Sequence, residues 1–297
     1  MTPTVLALFG PTGVGKTALA LAVADRLRAR GERPVAVSAD ALQVYAGLET
    51  LTGVASRTER ARLEHRLVAF VPVTETFSAG RYAQLAHAEI DALLAEGATP
   101  LVVGGTGLYL RAALAELELR PEPPPGLRQE IVARIARDGA EAVHAGLVAR
   151  APWTRETVRP SDTHRLIRTL ELEALGALRP PRSESQLWTS DTRHPTRLIV
   201  CTMERSVLDT AIDARVAAMV AAGAAQEVRR ADVAGASATA RKALGFQELL
   251  DGDPEAMARR TRRYARRQLT WLRKLPGVER VDLTGRTPED VAAELLP

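Results

Sequence analysis

Apolar positions along the chain follow two spacings. Short unbroken runs, "TVLALF" (4–9), "PVAVSA" (34–39), "TPLVVG" (99–104), "RLIVCTM" (197–203) and "RVDL" (280–283), predict strands buried on both faces. A further run, "RLVAFVPV" (66–73), is a sixth candidate. Between them, apolar residues three and four apart predict helices over 17–30, 79–96 and 206–222. Each is followed by a glycine, Gly31, Gly97 and Gly223, suited to ending it. Strands alternating with helices imply a parallel sheet flanked by helices, with ligands gathering outside the carboxyl ends of its strands.

The alternation stops between about 106 and 196, where no strand pattern occurs, a stretch too long for a connection. The proline-rich break "LRPEPPPGLR" leads into helical "RQEIVARIARDGAEAVHAGLVAR" (128–150), and "SDTHRLIRTLELEALG" (161–176) is helical again. An all-helical subdomain at 120–160, inserted into an α/β core of 1–119 and 161–297, is the economical division.

"GPTGVGKT", Gly10 to Thr17, joins the first strand to the first helix and fits G-x-x-x-x-G-K-[ST] in its required context. Its glycines let successive backbone N–H groups converge on an anion at the positive end of a helix. Lys16 adds a point charge for the terminal phosphate, and the Thr17 hydroxyl is placed to ligate Mg²⁺. The fold is therefore expected to be a P-loop NTPase-like parallel sheet flanked by helices, carrying the inserted helical subdomain. The loop alone does not say whether its phosphates belong to ATP, GTP or another diphosphate.

Three more residues fall where the sheet would put a site. Asp40 follows the second strand in "SADALQVY", Thr106 follows the third in "VVGGTGLYL", and Arg215 lies on a later helix in "AIDARVAAMV". Alternatively Asp40 and Thr106 cap helices and Arg215 is a surface residue. The third strand ends in Gly-Gly-Thr, without the Asp that typically completes a Mg-nucleotide site.

Composition excludes some classes. The 297 residues, 46% apolar and 26% charged, can bury a core as one large domain or a domain with an appendage. The single cysteine, Cys201, rules out a disulfide framework or a cysteine-built zinc cluster. No apolar run approaches ~18 residues and a strand begins almost at once, so a cytoplasmic protein without membrane span or signal peptide is expected. The net charge of +4 conceals a local excess. In "RRTRRYARRQLTWLRK" (259–274) eight of sixteen residues are basic and none acidic; removing those eight from the 40 basic residues leaves 32 against 36 acidic ones. Such a run is either a solvated face or, anchored through Tyr264, Leu269, Trp271 and Leu272, a helix suited to a polyphosphate backbone.

With "GPTGVGKT", "SADALQVY", "FSAGRYAQLAHAEI", "VGGTGLYL", "SDTHRLIRTLELE", "IDARVAAMVAAG" and "TRRYARRQLTWLRK" in this order, the sequence resembles the bacterial-type tRNA dimethylallyltransferases from Gly10 to about Lys274. The resemblance implies transfer of a dimethylallyl group from dimethylallyl diphosphate to N6 of the adenosine 3′-adjacent to the anticodon, with Mg²⁺ and loss of pyrophosphate. It implies that Gly10, Thr12, Gly13, Val14, Gly15, Lys16 and Thr17 hold the diphosphate of an isoprenoid, with Thr17 as metal ligand. It further implies that Asp40 is the base, that Thr106 contacts the substrate base or the reacting centre, and that Arg215 serves the leaving group. The tRNA anticodon stem-loop would meet Asp40, Ala41, Leu42, Gln43, Thr106, Arg128, His164, Arg165, Arg168, Lys242, Gln247, Arg266, Arg267 and Arg273, on an enzyme acting as a monomer.

Some positions depart from the family pattern: Ala41 replaces a frequent Ser, "AGLETLTGVA" lacks a Lys, a paired histidine reads His65-Arg66, Ser161 stands for Asn, and Lys242 stands where some relatives carry Arg. Two other classes compete. A small-molecule kinase would use the loop for ATP and leave the arginine helix idle; a non-catalytic RNA-binding protein would leave the loop idle.

Overall fold

The computed structural model describes residues 5–117, 121–180, 187 and 189–297. Two compact units are present, one formed by Met1–Leu117 with Leu187–Pro297, the other by Glu118–Gln186. In the first, the expected runs form strands β1 (Val5–Phe9), β2 (Pro34–Ala39), β6 (Thr99–Gly104), β7 (Thr196–Thr202) and β8 (Glu279–Asp282). Three short strands complete the set: β3 (Tyr45–Ala46), β4 (His65–Arg66) and β5 (Val71–Pro72).

A six-stranded sheet runs in the order β4-β2-β6-β1-β7-β8, and all its pairings are parallel. Every residue of β1 and β2 is buried, as a sheet covered on both faces requires. The chain steps one way along the sheet from β1 to β2 and the other way from β2 to β6. Right-handed crossovers therefore put helix Lys16–Ala29 and helix Ala79–Ala95 on opposite faces. Ser78 caps the second of these by accepting from the Arg81 N–H at 3.1 Å. The arginine-rich run forms helix Pro254–Leu272, with Pro254 in the first turn and Asp253 accepting from the Ala256 N–H at 2.7 Å.

The run at 66–73 is not one strand. Leu67 and Ala69 take left-handed backbone conformations (φ 58° and 48°), which break an extended chain. His65–Arg66 pairs with β2 at the edge of the main sheet, while Val71–Pro72 turns away to pair with Tyr45–Ala46 in a separate two-stranded sheet.

The second unit is helical: Leu127–Asp138, Ala140–Arg150, Thr154–Thr157 and Thr163–Ala174, the first two separated at Gly139. Ile131, Val143, Leu147, Val158, Leu166 and Leu170 form its core. Leu166 and Leu170 belong to Thr163–Ala174, a helix expected within the α/β core. Its apolar stripe packs on the insert instead, so the unit reaches Gln186 and exceeds the expected 120–160.

Candidate active site

The registers Phe9↔Gly104 and Ala39↔Gly104 set the ends of β1, β6 and β2 level. The residues that follow, Gly10, Gly105 and Asp40, consequently emerge side by side. Asp40 and Gly105 line a cavity of about 360 Å³ together with Thr12, Gly13, Gly15, Lys16, Thr17 and Arg215. Gly13 and Gly15 have φ of 85° and 94°, the left-handed backbone that lets the loop curl ahead of helix Lys16–Ala29. Lys16 Nζ donates to the carbonyls of Gly10 and Pro11 at 2.9 and 2.8 Å. Burial lowers its ammonium to about 8, with Asp40 opposing that shift and Arg215 adding to it. The Cys201 thiol beside it is pushed up to about 11 by burial and is neutral at physiological pH.

Asp40 accepts from the Leu42 N–H at 3.0 Å, a turn contact and not a helix cap. Burial raises its carboxyl above the ordinary 3.8, against the pull of that bond and of Lys16 and Arg215. Thr106 stands at the head of helix Gly107–Leu114 but does not cap it. Its hydroxyl accepts from the Ala41 N–H at 3.4 Å and lies 3.5 Å from the Tyr264 hydroxyl. Nor is Arg215 a surface residue: burial lowers its pKa, with Asp40 the largest opposing influence. The site thus joins two desolvated cations and a buried carboxylate beside the phosphate loop.

Arg215 rests against Gly53, whose φ is 63°; a Cβ there would collide with the guanidinium and meet Met219 Cε at 3.0 Å. Gly53→Ala is expected to displace Arg215 and to cost roughly 1–2 kcal/mol in left-handed backbone strain. Pyrophosphate affinity, measured by calorimetry, should fall while the fold persists in circular dichroism; unchanged affinity would separate Arg215 from anion binding.

Two buried polar residues that brace the site have no counterpart among the expected residues. Gln268, buried among the arginines, accepts from the Thr12 N–H at 2.9 Å and donates to the Gly105 carbonyl at 2.6 Å. A faint signal existed: Thr261, Ala265, Gln268 and Leu272 follow the buried spacing of that helix. Glu227, also buried, accepts from the N–H groups of Thr50 and Leu51, both at 2.9 Å, and so holds the turn that carries Gly53. No local pattern announces a contact so distant in sequence.

Several residues expected to touch RNA are engaged within the protein. The Gln43 amide accepts from Ser38 Oγ at 3.0 Å and donates to the carbonyls of Thr52 and Gly53 at 3.4 and 3.0 Å. In the helical unit, Arg128 and Arg168 both grip the wholly buried Glu171, at 2.7 and 3.0 Å, and Arg168 also reaches the Pro121 carbonyl at 2.8 Å. Arg165, three residues from Arg168, instead faces Asp162 at 3.5 Å, and His164 is exposed. Lys242 is exposed on a short turn, and exposed Gln247 donates to Asp251 at 2.8 Å.

The arginine helix is neutralised along half its length by acids from outside the run. Arg259 pairs with Asp253 and Glu255, Arg260 with Glu248, and Arg262 with Asp213. Arg263, Arg266, Arg267 and Arg273 are exposed and form no ion pair among the described residues. The unneutralised charge is thereby confined to the second half of the helix.

Fold and site define a P-loop-type α/β protein whose phosphate loop faces a buried carboxylate and arginine, while β6 ends in Gly104, Gly105 and Thr106 with no acid. A family model described as IPP transferase matches residues 43–275. The tRNA dimethylallyltransferase of Anaeromyxobacter dehalogenans (strain 2CP-C) is 42% identical over 283 residues, covering 91% of each chain. That of Acidothermus cellulolyticus is 35% identical over 304 residues, 98% of this chain and 93% of its own. The crystal structure of the full-length tRNA isopentenylpyrophosphate transferase from Bacillus halodurans matches with a TM-score of 0.70 at 29% identity, covering 98% of this chain and 94% of that one. A eukaryotic dimethylallyltransferase acting on tRNA shares the fold, with a TM-score of 0.74 at 21% identity over 98% of this chain and 76% of that one. The chain belongs to the IPP transferase family.

Proposed function

We propose that the protein transfers the dimethylallyl group of dimethylallyl diphosphate to N6 of the adenosine 3′-adjacent to the anticodon of tRNA, releasing diphosphate. The observation that carries this reading is the meeting of Lys16, Asp40 and Arg215 with the phosphate loop in one cavity. Cleavage of the allylic carbon–oxygen bond sends its electron pair onto diphosphate, which needs cations and fixed N–H donors as its charge grows. Lys16, Arg215 and the amides of the loop supply them. The N6 lone pair forms the new bond to carbon, and the N6 proton passes to Asp40, whose raised pKa makes it a stronger base than an exposed carboxylate. Apolar Ala211, Val216, Met219, Leu244 and Met257 line the remaining wall and suit the hydrocarbon.

Mg²⁺ fits the oxygen donors present. Thr17 and Asp40 line the cavity, and among the described residues no cluster of three or more His, Cys, Asp or Glu forms a closed cage. A small hard cation that keeps waters and rides on substrate phosphates suits such a place, with Thr17 as its protein ligand. When bound it supplies further charge to the leaving group.

The adenine must leave its stack, at a cost of a few kcal/mol that contacts to the RNA offset. Arg266, Arg267 and Arg273 are the exposed cations for its phosphates, with Lys242, His164, Arg165 and the outer edge of Arg128 as further contacts from the two units. No described helix is long and apolar enough to cross a membrane. A cytoplasmic enzyme acting as a monomer is part of the same proposal, since a tRNA substrate is met in the cytoplasm.

Radiolabelled dimethylallyl diphosphate, Mg²⁺ and unmodified tRNA test the reading directly: label should enter RNA. Label staying in the diphosphate while ATP is consumed would restore the kinase. Neutralising Arg266 and Arg267 together should weaken tRNA binding and lower the slope of log affinity against log salt by about 1–2. An unchanged slope would make that surface a merely solvated one.

A further inference from the structure

We infer that Gln268 is a positioning residue that couples RNA docking to the diphosphate loop, so that each ligand strengthens the other. The inference rests on the proposed function, since it takes the exposed arginines as the RNA contact and the loop as the diphosphate cradle. Helix Pro254–Leu272 carries both surfaces. Its exposed side presents Arg263, Arg266 and Arg267, and its opposite side reaches into the cavity.

The inward contacts touch the segments that follow β1 and β6, and through Thr106 they reach the one that follows β2. Gln268, 5% exposed, accepts from Thr12 N–H and donates to the Gly105 carbonyl. One turn earlier the Tyr264 hydroxyl lies 3.5 Å from Thr106 Oγ1, which accepts from Ala41 N–H beside Asp40. Thr12 is part of the loop whose amides must point at the anion, and its peptide plane is fixed by a side chain adjacent to Arg267. The Arg267 guanidinium in turn sits 5.5 Å from the centre of the Tyr264 ring. A shift of the helix on binding phosphates at Arg266 and Arg267 is thus passed directly to the loop. At this position the primary amide accepts from one backbone N–H through Oε1 and donates to a carbonyl through Nε2 at the same time. Glutamate lacks the donor, and methionine keeps the length without either bond.

A core glutamine that merely satisfies two buried groups would also be explained by these bonds, and the two roles make different predictions. The experiment measures the affinity of inorganic pyrophosphate with Mg²⁺, in the presence and absence of saturating unmodified anticodon stem-loop RNA. Pyrophosphate permits no transfer, so equilibrium is reached. In the unaltered protein, RNA is expected to tighten pyrophosphate by about 5-fold or more, and pyrophosphate to tighten RNA by the same factor, as linkage demands. In Gln268→Met, and in Gln268→Glu should methionine prevent folding, that ratio should fall to within about twofold of unity while each ligand still binds alone. A ratio of unity in the unaltered protein, or a ratio kept in the variants despite weaker binding overall, overturns the inference. Failure of the unaltered protein to bind either ligand would instead sink the proposed function on which it rests.

Discussion

Asp40→Asn is expected to lower the transfer rate by roughly 10²–10⁴-fold, the range for losing a positioned general base. The substitution is informative because asparagine can keep the local structure. Its side-chain oxygen can still accept from the Leu42 N–H, so the turn after β2 and the Ala41 contact to Thr106 should survive. What it cannot do is take the N6 proton, and tRNA affinity should therefore hold while single-turnover transfer collapses. The pH profile supplies a second check. Burial raises the Asp40 carboxyl above 3.8, so the rate of the unaltered enzyme should fall on acidification as that carboxylate becomes protonated, and the asparagine variant should lack this limb. A variant with undiminished activity would remove Asp40 from the chemistry.

Lys16→Met should cost roughly 10²–10³-fold in the transfer step, the scale seen when a preorganised donor to a developing anion is lost. The fold should not suffer in proportion. The ammonium is desolvated and its pKa has dropped from 10.5 to about 8, which means that the native state pays for the buried charge in full below about pH 8. Stability from this group rises between about 8 and 10.5, where the unfolded chain holds the proton and the native one does not. Diphosphate reverses the balance by favouring the charged form. Above about pH 8 its binding must therefore draw in a proton, and affinity should weaken by up to about tenfold for each pH unit. Pyrophosphate titrations by calorimetry at several pH values read this slope. The methionine variant should lose this proton uptake; an equal slope in both proteins would assign the titration to another group.

Much of this site was legible because its chemistry is local in sequence. The phosphate loop occupies eight consecutive positions, and Asp40 and Thr106 directly follow apolar runs that could only be buried strands. Parallel order and level register then bring them together without further information. Contacts between distant segments were not legible. Gln268 meets the phosphate loop 256 residues away, and nothing near it in the chain signals that contact. The same blindness hid Glu248 and Asp213, which neutralise Arg260 and Arg262, and hid the reach of Arg128 to the buried Glu171. Helix Thr163–Ala174 was placed in the wrong unit because an amphipathic stripe records that a face is covered, not what covers it. The run at 66–73 reads as a strand by hydrophobicity, and no composition rule marks Leu67 or Ala69 for left-handed geometry.

That turn has a consequence for how copies of the protein behave toward one another. A sheet of parallel strands ends in a row of unpaired backbone groups, which is a template for joining the sheet of a neighbour. Here the outermost strand on that side is only two residues long, and the left-handed pair beyond it swings the chain away, which keeps that border short. Short, interrupted borders of this kind discourage edge-to-edge aggregation of neighbouring copies.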